Sequence, residues 1–239
     1  MTSNDRLSLN PITSISGAWD LIKDNYWLFC GVTSLMLVVA CCLPAGGLLV
    51  PFVTAGVYAM AFRGMRLEPY DFSTAMGQGY KGKSWRIFFA AIVAGLPWIP
   101  LTVGAQFSDR LENAPESAMY TILIVSLVLF VIALLWGITC TFWIALIVDR
   151  DLSFGDAFLE SARASWMNSP GLILLNIVNA MLLTAGALLL CVGALFVYPI
   201  VLVSYAIAYR QIFPDTSPPI YQNEPPPPHA YQGSFGQGL

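Results

Sequence analysis

The sequence contains very little charge. Lys, Arg, Asp and Glu together make up 10% of its 239 residues, whereas 57% of the residues are hydrophobic. A soluble domain carries about 25% charged residues, so this chain has too few of them for a surface covered by water. We therefore expect most of the chain to face lipid, or other helices within lipid.

Histidine and basic runs are scarce as well. The single histidine, His229, lies near the C-terminal end, which excludes most metal sites and His-dependent acid–base catalysis from the apolar part. There is no basic run of the kind that neutralises the phosphates of nucleic acid. Walker, H-E-x-x-H and G-x-S-x-G motifs are also missing. These absences predict a protein that is not an enzyme and that has no cofactor, metal or nucleic-acid partner.

Two apolar runs are each long enough for two membrane spans. Residues 26–62 and 170–209 contain no charged residue, and one spanning helix needs about 20 residues. Together with two further apolar runs they predict an all-α membrane domain over residues 10–213, with six spans in three hairpins. The predicted spans are 27–45, 48–64, 86–107, 119–148, 170–190 and 192–211. Pro97 and Pro100 predict a kink in the third span.

The positive charges predict the orientation. Ten of the eleven Lys and Arg residues lie in the termini or in the loops after spans two and four, and only Arg110 lies between spans three and four. The positive-inside rule therefore places both termini in the cytoplasm, and we expect a multi-pass protein of the bacterial inner membrane.

An amphipathic segment precedes each hairpin, and the second of the three is the weakest. In the first and third segments, apolar residues recur at the spacing of one helical face. The apolar stripe of the first segment comprises Ile12, Ile15, Trp19 and Ile22. That of the third comprises Phe154, Phe158, Leu159, Ala162 and Trp166. We predict cytoplasmic helices that lie in the plane of the interface; the alternative is an amphipathic loop without a partner.

The first and last hairpins resemble each other and predict an internal repeat. Residues that match in order are Ala18, Cys42, Pro51, Tyr58 and Arg63 with Ala157, Cys191, Pro199, Tyr205 and Arg210. Both copies begin in the cytoplasm, so the repeat is parallel. Cys42 and Cys191 would then lie at one depth near the outer face, where a disulfide between them is a hypothesis. The other interpretation is that the cysteines are small residues buried in the membrane.

Few polar residues interrupt the predicted spans. Asn176 and Asn179 lie three residues apart on one face of span five. They predict either polar contacts between helices or part of a path through the membrane. Asp149, just inside the membrane at the end of span four, is interpreted as part of a solvated helix end.

The termini outside the membrane domain are predicted to be disordered. Residues 1–9 form the N-terminus and residues 214–239 a Pro-rich cytoplasmic tail that cannot bury a core. Pro218, Pro219 and Tyr221 have the P-P-x-Y form read by WW domains. A polyproline run follows, consisting of Pro225, Pro226, Pro227 and Pro228. The tail is either a spacer or a docking segment for a protein partner.

The chain resembles a loosely defined group of bacterial six-helix membrane proteins. The group includes YciC-like proteins and the membrane domain attached to some glycerophosphodiester phosphodiesterases. The matching residues are Ala18, Trp19, Leu21, Pro51, Phe52, Gly56, Asp151, Ser153, Ala157 and Ser161. The resemblance implies a location and a topology, and it carries over no catalytic residue.

These observations predict a non-enzymatic scaffold or accessory subunit that acts through helix–helix and tail contacts. The alternative is a permease for lipid or for an uncharged small solute. An intramembrane enzyme is disfavoured because histidine and intramembrane carboxylates are missing. Membrane lipids are the expected partners, and the sequence leaves the oligomeric state open.

Overall fold

A computed structural model describes residues 9–42, 49–106, 116–188 and 192–214. This part of the chain is helical and contains no strand, so the predicted all-α class is confirmed. The helices are α1 Pro11–Ile22, α2 Tyr26–Cys42, α3 Val50–Met65, α4 Phe72–Ala75, α5 Ser84–Gly95, α6 Ile99–Gln106, α7 Glu116–Thr139, α8 Trp143–Arg150, α9 Phe154–Met167, α10 Ser169–Leu188 and α11 Val192–Ile212. Short 3-10 turns cover Lys23–Asn25, Gln78–Tyr80 and Leu96–Trp98.

Four stretches of the described chain are long and apolar enough to cross a membrane. They are Ser84–Thr102, Ala118–Arg150, Ser169–Leu188 and Gly193–Ile212. In the most apolar part of each stretch, between 6% and 44% of the residues are buried inside the protein. The low values fit helices surrounded by lipid, and the four stretches together indicate a membrane protein.

Helices α3, α8 and α11 form the core. Each contains a run of buried residues: 55–62 in α3, 145–148 in α8 and 201–204 in α11. Helix α3 packs against both α8 and α11. The remaining helices surround these three and expose large apolar side chains, as expected where lipid replaces water as the solvent.

Two of the predicted spans are interrupted. The third span contains the 3-10 turn Leu96–Trp98, which is where the sequence predicts a kink, because Pro97 cannot donate a helical hydrogen bond. The fourth span, predicted to be continuous over 119–148, instead breaks at residues 140–142 between α7 and α8. No proline marks this second break, so periodicity alone could not locate it.

Three lead helices precede the apolar hairpins: α1, α4 with its following 3-10 turn, and α9. Each begins at a residue whose side chain accepts a backbone hydrogen bond from the first turn, namely Asn10, Asp71 or Ser153. At Asp71, hydrogen bonds from Ser73 and Thr74 also lower the pKa of the carboxyl group. The N-caps therefore fix where each lead helix starts.

Every lead helix has a face of small residues directed into the protein. The residue four positions after the N-cap is Ser14, Ala75 or Ala157, and the residue eight positions after it is Ala18, Gly79 or Ser161. All of these except the half-buried Gly79 are fully buried. Small residues spaced four apart allow two helix backbones to approach closely; we call these residues the small face.

The predicted apolar stripes are divided between the inside and the outside of the protein. Ile22 is buried and Phe158 packs against the core. The side chain of Ile12 is 77% exposed and that of Leu159 is 65% exposed, and Trp19 and Trp166 are also exposed. The exposed members of each stripe agree with the predicted position of these helices in the plane of the membrane interface, which stays a prediction. Where lipid covers the outside, large apolar residues can face outwards, and close packing selects small ones.

The lead helices pack in a regular order. Helix α1 packs against α10 and α11, α4 packs against α3, and α9 packs against α7 and α8. Helix α1 thus joins the two ends of the described chain, because the backbone N–H of Asn10 donates to Oε1 of Gln211 at 2.8 Å.

Candidate functional site: a buried ion cluster

Asp149 is buried where α3, α8 and α11 come together. It lies in the last turn of α8, and its side chain is only 3% exposed. The interpretation of this residue as part of a solvated helix end was therefore wrong. A carboxylate in such a place needs positive partners, because an unpaired buried charge is strongly unfavourable.

Two arginines and a tyrosine satisfy this carboxylate. Nη2 of Arg210 donates to Oδ1 at 2.6 Å and Nη1 donates to Oδ2 at 3.1 Å, which is a bidentate pair. Nη2 of Arg66 donates to Oδ1 at 2.9 Å, and the Tyr209 hydroxyl donates to Oδ2 at 2.9 Å. Each oxygen of Asp149 therefore accepts two hydrogen bonds. We call these four residues the ion cluster.

Aromatic rings pack around the cluster. The guanidinium carbon of Arg210 lies 4.7 Å from the centre of the Phe62 ring, and the rings of Phe62 and Tyr209 are 5.1 Å apart. The guanidinium carbon of Arg150 lies 4.9 Å from the centre of the Phe213 ring, just beyond the end of α11. Such cation–π contacts strengthen as water is excluded.

The geometry of the cluster suits the joining of helices. Arg66 belongs to the end of α3, Asp149 to α8, and Tyr209 and Arg210 to α11. Since each carboxylate oxygen already accepts two hydrogen bonds, the group has little room to bind a ligand. Charged hydrogen bonds of this kind are directional and fix the relative position of the three helix ends.

A sequence signal for the cluster existed, although it lies in the arrangement of charges and not in a motif. Residues 117–148 carry no charge and are followed by Asp149. Arg210 directly follows the charge-free run 170–209, and Arg66 lies four residues after the run 26–62. Opposite charges at the same end of three neighbouring helices predict pairing. This signal becomes useful only once the helices are known to be neighbours.

A second group of charges covers the C-terminal end of α8. Nζ of Lys83 donates to the carbonyl oxygen of Val148 at 2.8 Å, and Nη1 of Arg86 donates to Oδ1 of Asp151 at 2.8 Å. Cations are favourable here because helix carbonyls at a C-terminus carry partial negative charge. The start of α5 is thereby attached to the end of α8.

Asn176 and Asn179 both lie between α10 and α11. The Tyr205 hydroxyl donates to Oδ1 of Asn176 at 2.7 Å. Nδ2 of Asn179 donates to Oγ of Ser204 at 3.0 Å. These hydrogen bonds connect the two helices, and Asn176 in addition lines a groove on the outer surface.

That groove lies between α7 and α10 and has a volume of about 500 Å³. Its lining is almost entirely apolar. The residues around it include Trp98, Val131, Ile138, Ile173, Asn176 and Ala180, together with Gly137. Helix α10 packs extensively against α11 but only slightly against α7, which leaves the space; we call it the α7/α10 groove.

The remaining predicted site residues lie outside what the structure describes. These are Cys191, the side chain of Cys42, and the tail residues Pro218, Pro219, Tyr221, Pro225, Pro226, Pro227 and Pro228. Within the described chain, Cys30 and Cys140 carry free thiols, and no three His, Cys, Asp or Glu side chains are grouped to hold a metal ion.

Comparison of the chain with family models, with curated proteins and with solved structures finds no match.

Proposed function

We propose that the chain is a six-span protein of a bacterial inner membrane, with both termini in the cytoplasm. Four spans follow from the helices described above. The other two are α2 and α3, with 17 and 16 residues, which belong to the charge-free run 26–62. The distribution of Lys and Arg supports this orientation, and the resemblance to YciC-like proteins is in keeping with the topology.

We further propose that three units, not two, make up the internal repeat. Each unit consists of a lead helix followed by a hairpin, and each lead helix packs on the last helices of the preceding unit, with α1 packing on the third. The N-caps align Ala18 with Ser161, where the sequence comparison had aligned Ala18 with Ala157. The small faces support this new register.

We propose that the protein is a non-enzymatic scaffold or accessory subunit. The observation that carries this proposal is how the polar groups in the helices are used. Asp149 is held by Arg66 and Arg210, and Asn179 by Ser204. Polar groups that bond to each other in this way stabilise a fixed arrangement of helices, and they have little remaining capacity to bind a substrate. The tail after Phe213 is then the segment that contacts a partner.

The test compares the full chain with a chain that stops after Phe213. Both are crosslinked in native membranes and purified, and the attached proteins are quantified by mass spectrometry. We expect one protein at a fixed ratio to the full chain and its loss from the shortened chain. A full-length chain with Pro218, Pro219 and Tyr221 changed to Ala separates the motif from the rest of the tail. Equal capture by all three forms would contradict a role for the tail.

A permease for lipid or an uncharged solute remains the second candidate, and the α7/α10 groove favours it. In that case Asn176→Leu should abolish transport, whereas loss of residues 214–239 should leave transport unchanged. The scaffold proposal expects the reverse dependence for partner binding.

A further inference from the structure

Helix α9 lies at one end of the α7/α10 groove. It packs against α7 and leads directly into α10. Nε1 of Trp166 in α9 donates to Oγ1 of Thr139 at 3.2 Å, and Thr139 follows the groove residue Ile138. A tryptophan of this kind is typical of the headgroup level of a membrane. The groove therefore runs from the membrane interface into the apolar part of the bilayer.

The exposed face of α9 carries a cation among apolar side chains. Arg163 is exposed, and its neighbours one turn away on the same face are Leu159, Trp166 and Met167, all more than half exposed. In the described part of the chain Arg163 makes no hydrogen bond or ion pair. The nearby carboxylate of Glu160 instead faces Arg150, at 3.5 Å.

Two other cations near the starts of apolar helices are paired with carboxylates of the protein. Before α2, Lys23 pairs with Asp20 at 3.0 Å, and at the start of α5 Arg86 pairs with Asp151. Arg163, before α10, has no carboxylate at ion-pair distance in the described chain, since Glu160 pairs with Arg150. A phosphate group at the membrane surface has the charge and the acceptor oxygens to pair with Arg163.

We propose that an anionic phospholipid binds here, with its phosphate on Arg163 and an acyl chain in the α7/α10 groove. The polar atoms of Asn176, the polar side chain in the groove lining, are bonded to Tyr205 and to the Leu172 carbonyl. The lining therefore suits a hydrocarbon chain better than a polar solute. This inference concerns binding alone, and it does not depend on the scaffold proposal or on a protein partner.

The test uses the full-length protein, purified in detergent and freed of lipid. Phosphatidylglycerol or phosphatidylcholine with identical acyl chains is added, and bound lipid is counted by native mass spectrometry. We expect one phosphatidylglycerol per chain, bound about fivefold more tightly than phosphatidylcholine. Both lipids carry a phosphate, but the choline cation cancels its charge, and the attraction between one cationic side chain and an anionic headgroup has about this size.

Two kinds of variant separate the headgroup from the chain. Arg163→Gln should remove the preference for phosphatidylglycerol, and Arg163→Lys should restore most of it. Gly137→Leu should weaken binding of both lipids, because a side chain at this position enters open space in the groove without meeting protein atoms. Ala180→Phe fills the same groove from α10.

The matched controls lie elsewhere on the molecule. Lys81→Gln removes another exposed cation, and Gly31→Leu adds the same side chain at an exposed glycine of α2 that also has open space around it. Both should bind lipid like the unchanged protein. An unaltered lipid preference in Arg163→Gln, or unaltered binding in both groove variants, would overturn the proposal, as would equal losses in the controls.

Discussion

Asp149 gains its role from its three neighbours and not from its position in the sequence. Its side chain is 3% exposed, while that of Asp151, two residues later, is 61% exposed. Both carboxylates contact arginines, yet only Asp149 is withdrawn from solvent. The same side chain therefore joins helix ends inside the protein at one position and at the solvent-exposed surface at the other.

This contrast yields a prediction at the residue scale. Asp149→Asn keeps the size of the side chain but leaves the Arg66 and Arg210 charges without their counterion. We expect a loss of about 3 kcal/mol in the free energy of unfolding, the low end for a broken buried pair because Arg66 is partly exposed. Asp151→Asn should cost less than about 1 kcal/mol, as exposed pairs do.

The measurement is denaturant unfolding in one detergent, with both variants compared in parallel. Equal losses for Asp149→Asn and Asp151→Asn would mean that burial does not set the strength of the ion cluster.

Sequence reasoning reached some of these residues. Asn176 and Asn179 were selected because amides are rare in apolar helices, and both make hydrogen bonds between α10 and α11. Asp149 was selected and then misjudged, since adjacent Arg150 and Asp151 gave it the look of a solvated helix end. Whether a terminal charge is solvated depends on which helices end beside it, and the sequence order does not contain that information.

At the scale of elements, a side chain of the neighbouring helix α9 makes hydrogen bonds to the backbone groups that the break between α7 and α8 leaves unpaired. Oγ of Ser161 in α9 accepts from the backbone N–H of Phe142 at 3.2 Å and donates to the carbonyl oxygen of Thr139 at 2.8 Å. Both backbone groups would otherwise be unsatisfied in an apolar region, which is costly. One hydroxyl thus makes the irregular backbone tolerable.

The same helix offers a matched pair of substitutions. Ser161→Ala should cost about 2 kcal/mol in the free energy of unfolding, because it removes both hydrogen bonds and leaves the Phe142 N–H buried. Ser165→Ala should be neutral or slightly stabilising, since Oγ of Ser165 is buried and has no hydrogen-bond partner among the described residues.

Unfolding in detergent, followed by amide hydrogen exchange at Phe142, would check both substitutions. A Ser165→Ala variant as unstable as Ser161→Ala would show that side-chain volume, not hydrogen bonding, controls this contact.

The sequence predicted which residues form the lead helices α1 and α9, but it did not predict which face of each helix packs on the protein. The caps at Asn10 and Ser153 and the helical spacing were visible. The rotation of each helix about its own axis was not visible. Hydrophobicity separates faces that contact water from faces that do not, but it cannot separate a face that contacts lipid from one that contacts protein. Ala157, which packs inside, and Leu159, which faces out, are both apolar; their sizes carry the distinction.

At the scale of the whole molecule, the proposed orientation makes opposite predictions for two loops. The native cysteines are first replaced, and single cysteines are then introduced as Asn113→Cys or Lys81→Cys. In intact cells a membrane-impermeant maleimide should label position 113 and leave position 81 unlabelled, because the loop with few cations faces outwards. Permeabilised cells should show labelling at both positions.

The two variants serve as controls for each other, since position 113 should be labelled under both conditions and position 81 only after permeabilisation. Labelling of position 81 in intact cells would reverse the orientation and place both termini outside.

The contact between α1 and α11 sets an order of events during synthesis. Asn10 and Gln211, which bond to each other, are separated by 201 residues. At a ribosomal speed of roughly 5–20 residues per second, about 10–40 s pass before α11 exists. During that time Ile12 and Trp19 can already rest on lipid, but Ser14 and Ala18 have no helix to cover them. Helix α1 is thus synthesised first, but its packing against the rest of the protein is among the last contacts to form.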